Sequence, residues 1–141
     1  MSDVIDLVGT NLGGFNNLLG IEITEVSGER VVARLRVTAE HLQPYGIVHG
    51  GVHCALAEMA ASTGAAMSAM LRDPETGAVG LENHTTFLRA AREGALLVAE
   101  ATPLHAGRRT QSWQVEIRDE TTGRMVARST VRLLTTAPSD L

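Results

Sequence analysis

One carboxylate, Glu58, lies in the middle of an otherwise apolar stretch, HGGVHCALAEMAAS at residues 49–62. The stretch has no proline, no second acidic residue and no lysine or arginine. A carboxylate in such surroundings has to be paired, hydrogen-bonded or neutralised by a proton, and enzymes keep general bases and nucleophiles in these environments. The pattern alone leaves two other interpretations open, in which Glu58 faces solvent or pairs with an arginine such as Arg89.

Two glycines, Gly50 and Gly51, predict a helix that begins without side chains. The first N–H groups of a helix have no partner inside it and lie at the positive end of its dipole, so they suit a carbonyl oxygen that develops negative charge. At about 100° per residue, Gly51, Glu58 and Ser62 share one face of this helix. An acid and a donor site together suggest acyl chemistry.

Two other chemistries are disfavoured by the same stretch. His49 and His53 have the four-residue spacing of zinc ligands on a helix, but the second position is not glutamate and no third ligand is near. Cys54 beside His53 suggests a cysteine nucleophile, but adjacent helical residues point to different faces, and a buried structural cysteine is favoured. We therefore expect no metal and no cofactor.

Composition sets the class of protein. A chain of 141 residues predicts one domain, residues 1–141. A net charge of −4 argues against a general nucleic-acid binder. Cys54 is the lone cysteine, which excludes an intrachain disulfide, and the start MSDVIDL lacks the features of a signal peptide. The expectation is a cytoplasmic protein with neither nucleic acid nor membrane as a partner.

Hydrophobic periodicity predicts an α+β fold in which one long central helix is wrapped by a mostly antiparallel sheet. Short connections predict that the last four strands form an antiparallel meander. The predicted elements are an imperfect helix over about 4–19 in an N-terminal segment 1–19, a hairpin over 20–37 with its turn at 28–29, a helix over 50–71, strands over 78–89, 95–105, 110–119 and 124–134, and a tail over 136–141.

Three segments resemble the hotdog-fold acyl-coenzyme A thioesterases, in the branch of the 4-hydroxybenzoyl-CoA, 1,4-dihydroxy-2-naphthoyl-CoA and phenylacetate-pathway (PaaI-like) enzymes. They are QPYGIVHGG at 43–51 followed by ALAE at 55–58, VGLENHTTFLRAAREG at 79–94, and PLHAGRRTQSW at 103–113. The resemblance extends over residues 20–134. It implies the hotdog fold and the hydrolysis of a CoA thioester, with an aryl-CoA as the expected substrate.

The resemblance also implies catalytic roles. Glu58 would be the nucleophile or general base, and the Gly50 amide would polarise the thioester carbonyl. Gln43 would orient the carbonyl, the water or the departing thiol, while His49 would shape the loop and assist. Ser62, one turn beyond Glu58, would hold the acid or its water. A thioester is already activated, so these groups suffice without a metal or a cofactor.

Coenzyme A carries phosphate charges, and the acidic chain has a local basic cluster at Arg89, Arg92, Arg108 and Arg109. Arg89 and the GRR turn match CoA-contacting regions of the family, whereas Arg92 is interpreted as an ordinary solvated arginine. The predicted substrate or CoA contacts are Arg89, Arg108, Arg109, Gly51, His84 and Asn83.

The helix also predicts an assembly. With a rise of about 1.5 Å per residue, Glu58 lies roughly 12 Å from Gly50 along one helix, too far for both to act on one carbonyl. We therefore expect a homodimer, or a homotetramer built as a dimer of dimers, in which Glu58 faces Gln43 and Gly50 of a second chain.

Two alternatives remain at this point. The same fold could serve a non-catalytic acyl-CoA-binding protein, because fold does not determine activity. It could also serve a hotdog dehydratase that acts on 3-hydroxyacyl or enoyl thioesters, although such an enzyme would need a histidine and an aspartate in a different motif at the helix start.

Overall fold

The structure is a computed structural model, and it describes residues 13–141. The predicted helix over 4–19 lies partly outside the described residues, which contain only its last six positions as α1. The helices and strands in chain order are α1 (Gly14–Leu19), β1 (Glu22–Val26), β2 (Val31–Arg36), α2 (Gly50–Arg72), β3 (Gly77–Phe87), β4 (Leu96–Ala106), β5 (Thr110–Asp119) and β6 (Arg124–Thr136). Single 3₁₀ turns occur at Ala39–His41 and Pro138–Asp140.

The six strands form one antiparallel sheet in the order β1-β2-β4-β5-β6-β3. The prediction of one long helix against an antiparallel sheet is confirmed, as are the hairpin of β1 and β2 and the extent of α2. The predicted meander is wrong for β3, which pairs with β6 instead of β4.

The segment that joins β3 to β4 explains this difference. The Leu88 N–H donates to Val126 O on β6 at 2.8 Å, and the Gly94 N–H donates to Val37 O beyond β2 at 2.9 Å. The segment is therefore tied at both ends to different strands, and it crosses the sheet instead of turning back as a hairpin.

Helix α2 can pack closely against the sheet because the residues on its inner face are small. Trp113 on β5 is fully buried, and a Cβ atom at Gly64 would lie 2.4 Å from its ring. The Trp113 indole donates to Gln111 Oε1 at 2.9 Å, and the Gln111 side chain donates to Ala65 O of α2 at 2.9 Å. One aromatic ring thus fills the space that the small helical residues leave, and it fixes the helix across the sheet.

Strand β3 forms one edge of the sheet and is largely exposed. Its register with β6 shifts between Gly80 and Glu82, so Leu81 is an extra residue in a β-bulge. Leu81 is 48% exposed and Phe87 is 56% exposed. A long edge strand with exposed apolar side chains is a surface that proteins normally cover or pair with another strand.

Candidate active site

The Glu58 carboxylate lies against β3 at the bulge. A Cβ atom at Gly80 would be 2.0 Å from Glu58 Oε1, so the carboxylate occupies the space that any other side chain at this position would need. A glycine inside a strand commonly marks such a close approach. Gly80 is therefore required for Glu58 to reach its position.

Asn83, also on β3, holds the same carboxylate. Its Nδ2 donates to Glu58 Oε2 at 3.1 Å and to Cys54 O at 3.0 Å. The pairing of Glu58 with Arg89, left open by the sequence, does not occur between these two residues, and the Arg89 guanidinium donates instead to Met125 O at 2.9 Å. Glu58 is half-buried and hydrogen-bonded to a neutral amide.

At the start of α2 the two glycine amides differ. His49 is the N-cap, and its Nδ1 accepts from the Gly51 N–H at 2.8 Å. The Gly50 N–H has no hydrogen-bond partner within residues 13–141. The sequence led us to expect two bare amides, but only Gly50 is left to bind a carbonyl oxygen. The His49 N–H in turn donates to His41 O at 2.9 Å, which anchors the preceding loop.

A cavity of about 360 Å³ opens in front of Gly50, and Gln43 and Arg89 are among its lining residues. The Phe87 ring covers Gly50 so closely that a Cβ atom there would be 2.7 Å from it. Gln43 Oε1 accepts from the Tyr45 N–H, which leaves the side-chain N–H groups of Gln43 to donate. The cavity thus combines two donors, Gly50 and Gln43, that suit a carbonyl oxygen.

The wall of this cavity includes His53, which the sequence suggested only as a metal ligand or a partner of Cys54. Its side chain is 3% exposed, its Nδ1 has no hydrogen-bond partner among residues 13–141, and burial lowers its pKa to about 4. The imidazole is therefore neutral at neutral pH. Its ring lies 6.1 Å from that of Phe87, centroid to centroid, so the two side chains form an uncharged wall beside Gly50.

Within one chain, Glu58 and the Gly50 cavity are separate. Glu58 lies outside this cavity, and it follows Gly50 by eight positions on α2, which corresponds to about 12 Å along the helix. Ser62 follows Glu58 by one turn and is half-buried, and no hydrogen bond joins the two side chains in the described part of the chain.

The other predicted contacts lie in two regions. His84 is exposed on β3, and Arg92, which the sequence analysis interpreted as an ordinary solvated arginine and not as a contact, is exposed in the segment before β4. Arg108 and Arg109 are exposed on the turn between β4 and β5. Arg108 lines a second cavity of about 220 Å³ with Arg72, at the C-terminal end of α2. The structure therefore brings Arg89 to the Gly50 cavity but leaves the GRR turn at the opposite end of the helix.

Comparison with known proteins gives the family. Residues 45–126 match the thioesterase superfamily. The 1,4-dihydroxy-2-naphthoyl-CoA hydrolase of Listeria monocytogenes is 42% identical over 108 residues, 77% of this chain and 85% of that protein. The Escherichia coli enzyme of the same name is 36% identical over 119 residues, 82% of this chain and 85% of that protein.

A solved structure agrees with this match. The E. coli PaaI protein from the phenylacetic acid degradation operon superposes with a TM-score of 0.77 at 26% identity, over 86% of this chain and 83% of that chain. The hotdog fold that the sequence predicted is confirmed. The chain is a thioester hydrolase and belongs to the thioesterase superfamily.

Proposed function

We propose that the protein hydrolyses acyl-CoA thioesters, with a preference for aryl-CoA, to the free acid and coenzyme A. Glu58 acts as nucleophile or general base. The observation that carries the proposal is a hydrogen-bonded carboxylate on the same helix as the Gly50 amide, which has no partner in the described part of the chain and has Gln43 beside it. The 1,4-dihydroxy-2-naphthoyl-CoA hydrolases among the relatives support an aryl acyl group.

Both mechanisms use these groups in the same positions. The thioester oxygen accepts from the Gly50 N–H and from Gln43, which stabilise the negative charge that develops as the carbonyl is attacked. As a nucleophile, Glu58 forms an anhydride with the acyl carbon and expels the CoA thiolate, which takes up a proton, and water then cleaves the anhydride. As a general base, Glu58 removes the proton from the attacking water.

The separation of Glu58 from Gly50 makes the site composite. The Gly50 N–H must lie about 3 Å from the oxyanion, and Glu58 must reach the same carbonyl group or its attacking water. Gly50 and Glu58 of one chain are about 12 Å apart along the helix, so they cannot both do so. A second copy of the chain can supply the missing group. Since β3 is an exposed edge strand adjacent to Glu58, we propose that the protein is a homodimer joined through β3, and a homotetramer if two such dimers associate.

Contacts between α2 and β3 suggest the register of this dimer. The two elements run in opposite directions, so that Glu58 contacts Gly80 while Gly50 contacts Phe87. If a two-fold axis lies between positions 83 and 84, β3 pairs with itself in antiparallel fashion, and Gly80 of one chain faces Phe87 of the other. Glu58 of each chain is then opposite Gly50 of its partner, which completes two equivalent sites.

Arginines would recognise the coenzyme. Arg89 borders the Gly50 cavity of its own chain, whereas Arg108 is exposed on the β4–β5 turn at the other end of α2, so we propose that Arg108 reaches the phosphates of CoA from the second chain of the dimer. We expect Arg89→Ala or Arg108→Ala to raise KM for benzoyl-CoA about tenfold, but to change KM for a benzoyl-pantetheine thioester much less, because only CoA carries the nucleotide phosphates. Steady-state kinetics with the two substrates measure the difference.

Arg30→Ala is the matched control for this experiment. Arg30 is also exposed, but it pairs with Glu25 and Glu100 near β1, at the edge of the sheet opposite β3. Its replacement should leave both KM values unchanged. Equal increases in KM for the CoA and pantetheine substrates in the Arg89 and Arg108 variants would show that these arginines do not bind the nucleotide.

A substrate panel tests the reaction and the acyl preference together. The purified protein is incubated with benzoyl-CoA, hexanoyl-CoA and crotonyl-CoA while free thiol and enoyl absorbance are followed. We expect thiol release with a higher kcat/KM for benzoyl-CoA than for hexanoyl-CoA. A higher value for hexanoyl-CoA would reject the aryl preference, hydration of crotonyl-CoA without thiol release would indicate a dehydratase, and saturable binding without reaction would indicate a binding protein.

A further inference from the structure

A chain of four polar side chains leads from the sheet to Glu58. Ser129 Oγ on β6 lies 2.7 Å from Thr85 Oγ1 on β3, and Thr85 Oγ1 lies 2.7 Å from Asn83 Oδ1. Asn83 Nδ2 then reaches Glu58 Oε2 at 3.1 Å. Thr85 and Ser129 are direct partners in the β3–β6 register, and Ser129 is 1% exposed. This chain of hydrogen bonds is therefore anchored in the interior of the protein.

The donors and acceptors of these four side chains allow the hydrogen bonds to run in one direction only, from Ser129 towards Glu58. Asn83 Oδ1 can only accept, so the single Thr85 hydroxyl hydrogen points to it, and Ser129 must donate to Thr85. The amide nitrogen of Asn83 then faces Glu58 Oε2 and Cys54 O, both of which are acceptors. A flipped amide would set its oxygen against these two acceptors, so Glu58 Oε2 and Cys54 O fix its orientation.

We infer that Asn83 is a positioning residue for Glu58, oriented by Thr85 and Ser129, and that it does not contact substrate as the sequence suggested. Both of its N–H groups are engaged, on Glu58 and on Cys54 O, which leaves none for a ligand. The inference rests on the proposed role of Glu58 in thioester hydrolysis.

The chemistry of an amide suits this task. A neutral donor fixes Oε2 of Glu58 without adding a positive charge, whereas an arginine would make the carboxylate a weaker base and nucleophile. The other oxygen, Oε1, lies against Gly80 and accepts no hydrogen bond from residues 13–141, so we assign to it the reaction with water or the acyl carbon. Asn83 thus selects which carboxylate oxygen reacts.

Asn83→Asp tests the inference with an almost isosteric change. The new carboxylate faces Glu58 and favours its protonated form, so we expect kcat at pH 7 to fall at least about tenfold with KM within about twofold, and the acidic limb of the kcat profile to move to higher pH. The other titratable groups nearby are Cys54 on α2, Glu82 and His84 on β3 and, across the proposed two-fold axis, the partner's His84, and the substitution leaves them in place. The shift therefore reports the new charge beside Glu58.

Thr85 provides a second test that introduces no charge. Thr85→Val removes the hydrogen that holds Asn83 Oδ1 and should lower kcat several-fold, whereas Thr85→Ser keeps the hydroxyl and should restore it. Thr86→Val is the matched control, because Thr86 is the exposed neighbour on the opposite face of β3. Thermal unfolding and elution volume are measured for every variant, and the Thr85 pair decides the result if Asn83→Asp does not fold.

The outcomes separate this inference from the proposed function. If Glu58→Gln is inactive but Asn83→Asp folds and keeps the kcat and pH profile of the wild type, the positioning role is wrong and the role of Glu58 stands. If Thr85→Val and Thr85→Ser have equal kcat, the hydroxyl does not orient Asn83. If Glu58→Gln itself is fully active, the proposed function fails first.

Discussion

Replacement of Glu58 by glutamine is expected to lower kcat by about 10²-fold or more with little change in KM. Glutamine has nearly the same shape, and its side-chain oxygen can still accept from Asn83, so the position of the side chain is retained while its charge is lost. In the proposed mechanism the carboxylate acts in the transition state and not in binding, so we expect kcat to fall while KM stays nearly unchanged. Thiol release from benzoyl-CoA at saturating substrate measures the effect.

Glu82→Gln is the matched control for this substitution. Glu82 is an exposed glutamate on β3 that pairs with Arg132 at 3.2 Å, one residue from Asn83, and its replacement should leave kcat unchanged. A Glu58→Gln variant that keeps more than half of the wild-type kcat would remove Glu58 from the mechanism.

Mixing two impaired variants is expected to restore activity. In a heterodimer of Glu58→Gln with Gln43→Ala, one composite site receives Glu58 from the second variant and Gln43 from the first, and is fully wild type. The other site carries both substitutions. Random pairing makes half of the dimers hybrid, so about a quarter of all sites, and about a quarter of the wild-type activity, should return after subunit exchange.

Two controls make the mixing experiment decisive. Exchange is verified by native mass spectrometry of chains with different tags, and a mixture of Glu58→Gln with Glu58→Ala should stay inactive because no pairing restores the carboxylate. If Gln43→Ala is sufficiently impaired and exchange is complete, a mixture without recovery would place Glu58 and Gln43 in the site of a single chain.

The features that the sequence predicted correctly depend on neighbours along the chain. Helix α2 follows from a run of small apolar residues that begins at two glycines, and the β1–β2 hairpin follows from alternation around a short turn. Helical and strand periodicities repeat within a few residues, so they are visible in a single sequence. The position of Glu58 on α2 and the resemblance to the thioesterases have the same local origin.

The surroundings of Glu58 depended on contacts between distant residues. The sequence showed that β3 is a strand but not that it lies beside β6 at the edge, since alternation does not specify which strand is the neighbour. Only this placement sets Gly80 and Asn83, more than 20 residues along the chain, against Glu58.

At the helix start, a single side-chain conformation decided which amide is available. The pair of glycines predicted two N–H groups without a partner, but Nδ1 of His49 accepts from the Gly51 N–H. In the described part of the chain, the Gly50 N–H remains without a partner. The sequence by itself determined the positions of the long helix and the strands, the family, and the place of the Glu58 carboxylate on α2. The tertiary structure decided which groups hold that carboxylate and which donor faces the cavity, because these are set by the packing of strands and rotamers across the whole domain.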